Sequence, residues 1–210
     1  MKYIKMLGIA VLASLAVMAV AGVGTAAAGT KVCKDAACTS EYPAGTKISS
    51  SLVTGTHATL TTNLTNVTCK KSTVSGVLTG PNNGVVPAIP SGHGEITGFT
   101  FSECTATSNG SACTVSTINL NYTATAVAGP GLTVTPKTVG ANPGATVVCP
   151  NALINCTFTT KHILLDVTNG GPATVHAVKE PLERSGGFCP SESFWDATYT
   201  VTTPNPLHIV

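Results

Sequence analysis

This sequence predicts an all-β fold, an antiparallel β-sandwich or barrel-like domain stabilised by disulfides. Three observations carry the prediction. Short segments rich in threonine and valine alternate polar and apolar residues, as half-buried strands do. Clusters of Gly, Pro and Asn interrupt them at roughly ten-residue intervals, the spacing of strands in sandwiches and barrels. Eight cysteines, all downstream of an apolar N-terminal stretch, supply covalent ties. Charged residues make up only 10% of the chain, so the strong helix formers Glu, Lys and Arg are too scarce to build long helices.

Taken in order, the segment from His57 to Leu64 alternates, with Ala58, Leu60 and Leu64 on one face. Thr73–Thr79 is a second strand candidate, followed by a turn at Pro81-Asn82-Asn83-Gly84 and a loop from Pro87 to His93. Glu95–Glu103 sets Phe99 and Phe101 on one face. Its expected partner runs from Cys113 to Ala126 across the Asn109-Gly110 turn, with a β-bulge between Val115 and Ile118 to absorb a parity shift. Leu132–Thr135, Ala145–Cys149 and Ile154–Thr160 are short strands. His162–Val167 and Thr174–Val178 flank a hairpin turn at Asn169-Gly170-Gly171-Pro172. Pro181–Arg184 reads as one helical turn, with Pro at its first position and Gly186-Gly187 at its end. The last strand is the clearest: Trp195, Ala197, Tyr199 and Val201 share one face, taken as the core side. The chain reads as residues 1–28 followed by a β-rich domain over 29–210, with a division into two subdomains open near 129–144.

Residues 1–28 read as a secretory signal peptide. Lys2 and Lys5 precede a charge-free run from Met6 to Gly29, and Ala26-Ala27-Ala28 offers small residues for cleavage. The implied location is outside the cell or on the outer face of the cell envelope, with no stable membrane span after processing. Without Lys2 and Lys5, nine of the eleven basic residues remain, matching the nine acidic ones. A near-neutral chain with one adjacent basic pair, Lys70-Lys71, lacks the footprint of a nucleic-acid binder. Weak charge repulsion permits self-association.

In an oxidising compartment Cys33, Cys38, Cys69, Cys104, Cys113, Cys149, Cys156 and Cys189 are expected to form disulfides. Eight cysteines allow 105 pairings, so connectivity stays open. Short turns suggest hairpin staples at Cys104–Cys113 and Cys149–Cys156, a small Cys33–Cys38 loop, and a long Cys69–Cys189 link. Cys33-x₄-Cys38 has zinc-knuckle spacing, but no second knuckle follows it. No cofactor or metal is expected.

The chain contains no Gly-x-Ser-x-Gly, His-Glu-x-x-His or Walker loop. Ser91, His93 and Glu95 bring three usable side chains into one short segment, the alternative reading being a secreted hydrolase. His162 and Asp166, four apart on an expected strand, lie about 13 Å apart and cannot pair directly. Trp195 and Tyr199 are candidate ligand-binding residues, because an aromatic face can hold a sugar or apolar partner. Glu180–Ser185, with Arg184, is a candidate presented loop. Asn63, Asn66, Asn109, Asn121 and Asn155 each open an Asn-x-Ser/Thr triplet.

Val67-Thr68-Cys69, Phe99-Thr100-Phe101-Ser102-Glu103-Cys104 and the strand after Cys113 give the middle of the chain a distinct style. It resembles uncharacterised, secreted, threonine-rich β-proteins of high-GC Gram-positive bacteria. That resemblance implies a bacterial envelope setting and names no catalytic residue. The expected function is a non-enzymatic extracellular or envelope-associated structural or binding protein. Its expected partner is an extracellular polymer, a protein or a second copy of itself.

Overall fold

A computed structural model describes residues 29–80, 92–127, 129, 131–152, 154–186 and 189–210. The signal peptide reading, the Pro81–Gly84 turn and Ser91 fall outside these residues. In chain order the strands are β1 (Val32–Cys33), β2 (Lys47–Leu52), β3 (Ala58–Thr62), β4 (Val67–Leu78), β5 (His93–Ala106), β6 (Ala112–Ile118), β7 (Tyr122–Val127) and β8 (Gly131–Pro136). They continue as β9 (Gly144–Cys149), β10 (Ile154–Thr159), β11 (Ile163–Thr168), β12 (Thr174–Pro181), β13 (Glu183–Ser185), β14 (Ser193–Thr203) and β15 (His208–Ile209). The fold is all-β and every ladder is antiparallel.

Of the two architectures open from sequence, the chain adopts the barrel. Strands β4, β5, β7, β8, β11, β12, β14 and β2 pair in that order, and β2 returns to β4, closing an eight-stranded ring. Alternation sets which side chains fill it. On β7, Tyr122, Ala124 and Ala126 are buried while Thr123 and Thr125 are partly exposed. On β14, Ala197, Tyr199 and Val201 are buried, and Thr198 and Thr200 are partly exposed. Closure also removes the sheet edges at which a threonine-rich, weakly charged chain would recruit another copy.

Three strands outrun this ring. β4 has 12 residues, β5 has 14 and β14 has 11, each well above the usual five or six. Their surplus lengths carry a second group of strands. β5 pairs β7 through His93–Ile96 but β6 through Cys104 and Thr105. The second group then runs β6, β9, β10, β13. β12 and β13 are one extended path: Pro181 lies opposite Phe194, the Leu182 amide donates to Ser193 O, and Glu183 lies opposite Thr159 of β10. On the other side of β14, β3 pairs Ser193–Asp196 and leads back to β4. A second ring thus stacks on the end of the first. β2 and β3 lie in succession in the one slot between β4 and β14. Around the first ring β2, β4, β5 and β7, from before the 129–144 segment, form one contiguous block and β11, β12 and β14, from after it, form another, with β8 between β7 and β11.

Several expected local features differ. The stretch from Cys113 to Ala126 is two strands, because Asn119 and Asn121 adopt φ of +54° and +74°. Asparagine tolerates that left-handed conformation better than other residues with a Cβ. β6 pairs β9 without interruption from Thr114 to Ile118, so no bulge follows Val115. Register shifts lie elsewhere: between β4 and β5, where Ser75 faces Gly98 but Gly76 faces Ile96, and also between β12 and β14 and between β14 and β2. Pro181–Arg184 is extended rather than helical, and the ladders to β14 and β10 determine that. The same ladders hold Glu180–Ser185 in strand, so this segment is not a presented loop. Leu64 stands 65% exposed, past the end of β3, while Ala58 and Leu60 are buried as expected.

All eight cysteines are paired: Cys33–Cys38, Cys69–Cys104, Cys113–Cys149 and Cys156–Cys189. Of the suggested pairings only Cys33–Cys38 occurs. Cys149 sits opposite Ile154 in its hairpin, and Cys156 sits opposite Val147, so the two cysteines are out of register. Cys156 instead ties β10 to the segment entering β14. At the far end of the first ring, β1 and β15 pair, and Val32, Leu207 and Ile209 pack with Tyr42, Leu78, Ala126, Val167 and Val201. The Tyr42 hydroxyl donates to Pro206 O at 2.6 Å there.

Candidate functional site

The interiors of the two rings hold separate apolar cavities. The first-ring cavity is about 130 Å³, with Ile48, Val74, Ala124, Leu132, Val134 and Val201 in its wall. The second-ring cavity is about 80 Å³, lined by Leu60, Val67, Val115, Val147, Phe158 and Leu182 among others. Phe99, Tyr122, Ile163 and Trp195 border both. An eight-stranded barrel is just wide enough to be filled by side chains or to keep room for one small molecule. The small side chain of Ala124 on β7 helps leave room in the first ring.

An aromatic partition separates the cavities. Phe99 on β5 meets Trp195 on β14 edge-on, with centroids 5.7 Å apart and planes at 62°. It meets Tyr199 at 6.2 Å and 73°, and Trp195 lies 6.4 Å from Tyr199. These are the tilted and edge-to-face arrangements that ring quadrupoles favour. Phe101 extends the cluster 4.6 Å from Phe99. The partition forms where it does because β5 and β14 both cross from one ring to the other.

Polar atoms in the partition are matched, with one exception. The Tyr199 and Ser72 hydroxyls lie 2.9 Å apart and are buried. Loss of hydration raises the Tyr199 phenol above its usual range, and the Ser72 hydrogen bond opposes this only in part. The Tyr122 hydroxyl donates to Ile118 O, and burial raises this phenol too. Trp195 is the exception: its indole Nε1 is buried and has no hydrogen-bond partner.

Trp195 and Tyr199 are therefore brought together, facing inward, and Tyr199 is only 3% exposed. They form an internal wall and not an outward aromatic platform. Phe194, on the opposite face of β14, is the exposed aromatic of this strand. Sequence parity located Trp195, Tyr199, Phe99 and Phe101 on their faces. Ser72 and Tyr122 carried no sequence signal for their roles, which depend on hydroxyl positions across the barrel.

The remaining candidates lie elsewhere. Gly94 is buried opposite Ala124, so His93 and Glu95 take the other face of β5. Glu95 there accepts from Lys137 Nζ at 2.8 Å. Asp166 and His176 face each other across the β11–β12 hairpin, both exposed, while His162 precedes β11. Among the described residues no group of three His, Cys, Asp or Glu side chains is placed to hold a metal. No helix among them is long and apolar enough to cross a membrane. Comparison with protein-family models, curated proteins and solved structures finds no match to this chain.

Proposed function

We propose that this chain is a non-enzymatic binding protein, exported to the extracellular space or cell envelope, that holds a small apolar molecule inside its first ring. The apolar cavity walled off by Phe99, Trp195 and Tyr199 carries the reading. Its volume of about 130 Å³ resembles that of an engineered apolar cavity of ~150 Å³ that stays dry and takes benzene. Sites for drug-sized ligands are several times larger, at ~300–1,000 Å³, so the matching ligand class is a single small ring or a short branched chain. Non-enzymatic function is supported by Glu95, which is engaged by a lysine on the outer surface, and by the outward Asp166–His176 pair. Export is supported by the basic, apolar, small-residue pattern of residues 1–28 and by the full pairing of the cysteines.

The test is thermal unfolding of the purified exported protein with and without millimolar benzene or toluene. A ligand present at ten times its Kd adds about 1.4 kcal/mol of stability. Filling the cavity with Ala124→Leu is expected to abolish the shift. No ligand-dependent shift in the native protein would overturn the binding role and leave a structural one. N-terminal sequencing of the exported chain, expected to begin near Gly29, tests the location.

A further inference from the structure

The only tryptophan of the chain borders both cavities, yet its indole N–H is buried without an acceptor. Its aromatic neighbours offer no better option. Phe99 presents a ring, and the Tyr199 hydroxyl is already shared with Ser72. A buried donor left unpaired is costly, and native structures rarely tolerate one without a reason. A phenylalanine would pack against Phe99 and Tyr199 with no such cost. Most of the first-ring wall is apolar, with Ser50 and Ser75 its hydroxyl-bearing members besides Tyr122 and Tyr199, so a ligand there finds few donors to orient it.

We infer that the ligand carries a single hydrogen-bond acceptor, such as a carbonyl or ether oxygen, on a small apolar body, and that Trp195 Nε1 donates to it. The inference rests on the barrel-interior binding site proposed above and adds the polar feature that selects among small apolar molecules. A pocket built to satisfy a buried polar group rejects the analogue that leaves the group unpaired far more strongly than it rejects a missing methylene.

A matched pair separates the two levels of the proposal. Cyclohexanone and methylenecyclohexane share ring size and differ in an exocyclic oxygen against a CH₂. Affinities of both are measured by calorimetry for the native protein and for Trp195→Phe. The ratio of ketone to alkene affinity is expected to fall about tenfold or more in the variant, because the ketone loses its donor while the alkene loses nothing polar. In ¹⁵N-labelled native protein the single indole N–H resonance is expected to move downfield with the ketone and not with the alkene.

An unchanged affinity ratio, or an indole proton that responds alike to both molecules, overturns the acceptor inference and leaves the apolar site standing. That is also the outcome if an ordered water already satisfies Nε1 and stays in place. If neither molecule binds, the binding site itself falls. Should Trp195→Phe fail to fold, the indole resonance of the native protein still decides.

Discussion

Cys104 on β5 and Cys113 on β6 stand directly opposite each other, yet each is bonded to a cysteine on its other side. Cys69 faces Cys104 across β4 and β5, and Cys149 of β9 is bonded to Cys113. Four cysteines thus lie abreast over four adjacent strands, and all turn toward the interior of the second ring. Bonding the middle two would leave Cys69 and Cys149 at the outer ends, three strand spacings or about 14 Å apart. A disulfide needs Cα atoms within about 7 Å. Pairing from the outside inward satisfies all four.

Peptide mapping of unreduced protein checks that arrangement. The expected cross-linked peptides join Cys69 to Cys104 and Cys113 to Cys149. A peptide joining Cys104 to Cys113 would contradict the observed pairing. Replacing Cys69 and Cys104 together with serine is expected to cost about 2–4 kcal/mol in urea unfolding.

Gly76 and Gly98 flank the β4–β5 bulge and differ in what a methyl group would meet. At Gly76 a Cβ would lie 2.3 Å from the backbone oxygen of Glu95. At Gly98 it would lie 2.3 Å from Ser75 Oγ, a side-chain end that can rotate away. Gly76→Ala is expected to destabilise by about 2 kcal/mol or more, and Gly98→Ala by less than about 1 kcal/mol. Equal losses in denaturant titration would contradict the bulge geometry.

The Ser72–Tyr199 contact is testable by a double-mutant cycle. Tyr199→Phe strands a buried serine hydroxyl and is expected to cost about 1–3 kcal/mol. Adding Ser72→Ala removes the stranded group, so the double variant should lose less than the sum of the two single variants. Additive losses would mean that the hydroxyls do not interact.

Alkaline stability follows from the tyrosines. Tyr42, Tyr122 and Tyr199 all have phenols raised by burial, Tyr199 most of all. Between the unfolded value, about 10, and the raised folded values, the folded chain binds more protons than the unfolded one. Stability from these groups is therefore full below about pH 10 and falls as pH rises through the folded values. The urea midpoint is expected to drop above that pH, and in the chain without residues 1–28, which carry Tyr3, phenolate absorbance is expected to rise at higher pH in the folded than in the unfolded protein. Phenolate absorbance in the folded state at pH 10, equal to that of the unfolded chain, would contradict the burial.

Short-range features were legible from the residues. Alternation placed Ala197, Tyr199 and Val201 inward, and the Asn109-Gly110 and Asn169–Pro172 turns connect the strands expected of them. The Pro181–Arg184 segment misled because Pro181 is equally compatible with a helix start and with the end of a strand ladder. The β6–β7 break was hidden because Asn119 and Asn121 signal a turn no more strongly than many other asparagines here. The cavity was invisible, since it depends on Ala124 arriving across the ring from residues of strands distant in the chain, such as Ile48 and Val201.

By itself the sequence determined many of the strands, among them β14 with its inward face, and the turns between several of them, because a period of two and turn residues act over a few positions. It also determined that the cysteines would be oxidised if the chain is exported. Tertiary structure alone decided ring closure, the pairing of cysteines and the meeting of Phe99, Trp195 and Tyr199. Each of these depends on register between strands far apart in the chain. Register is settled by packing the whole interior at once, and no local run of residues encodes it.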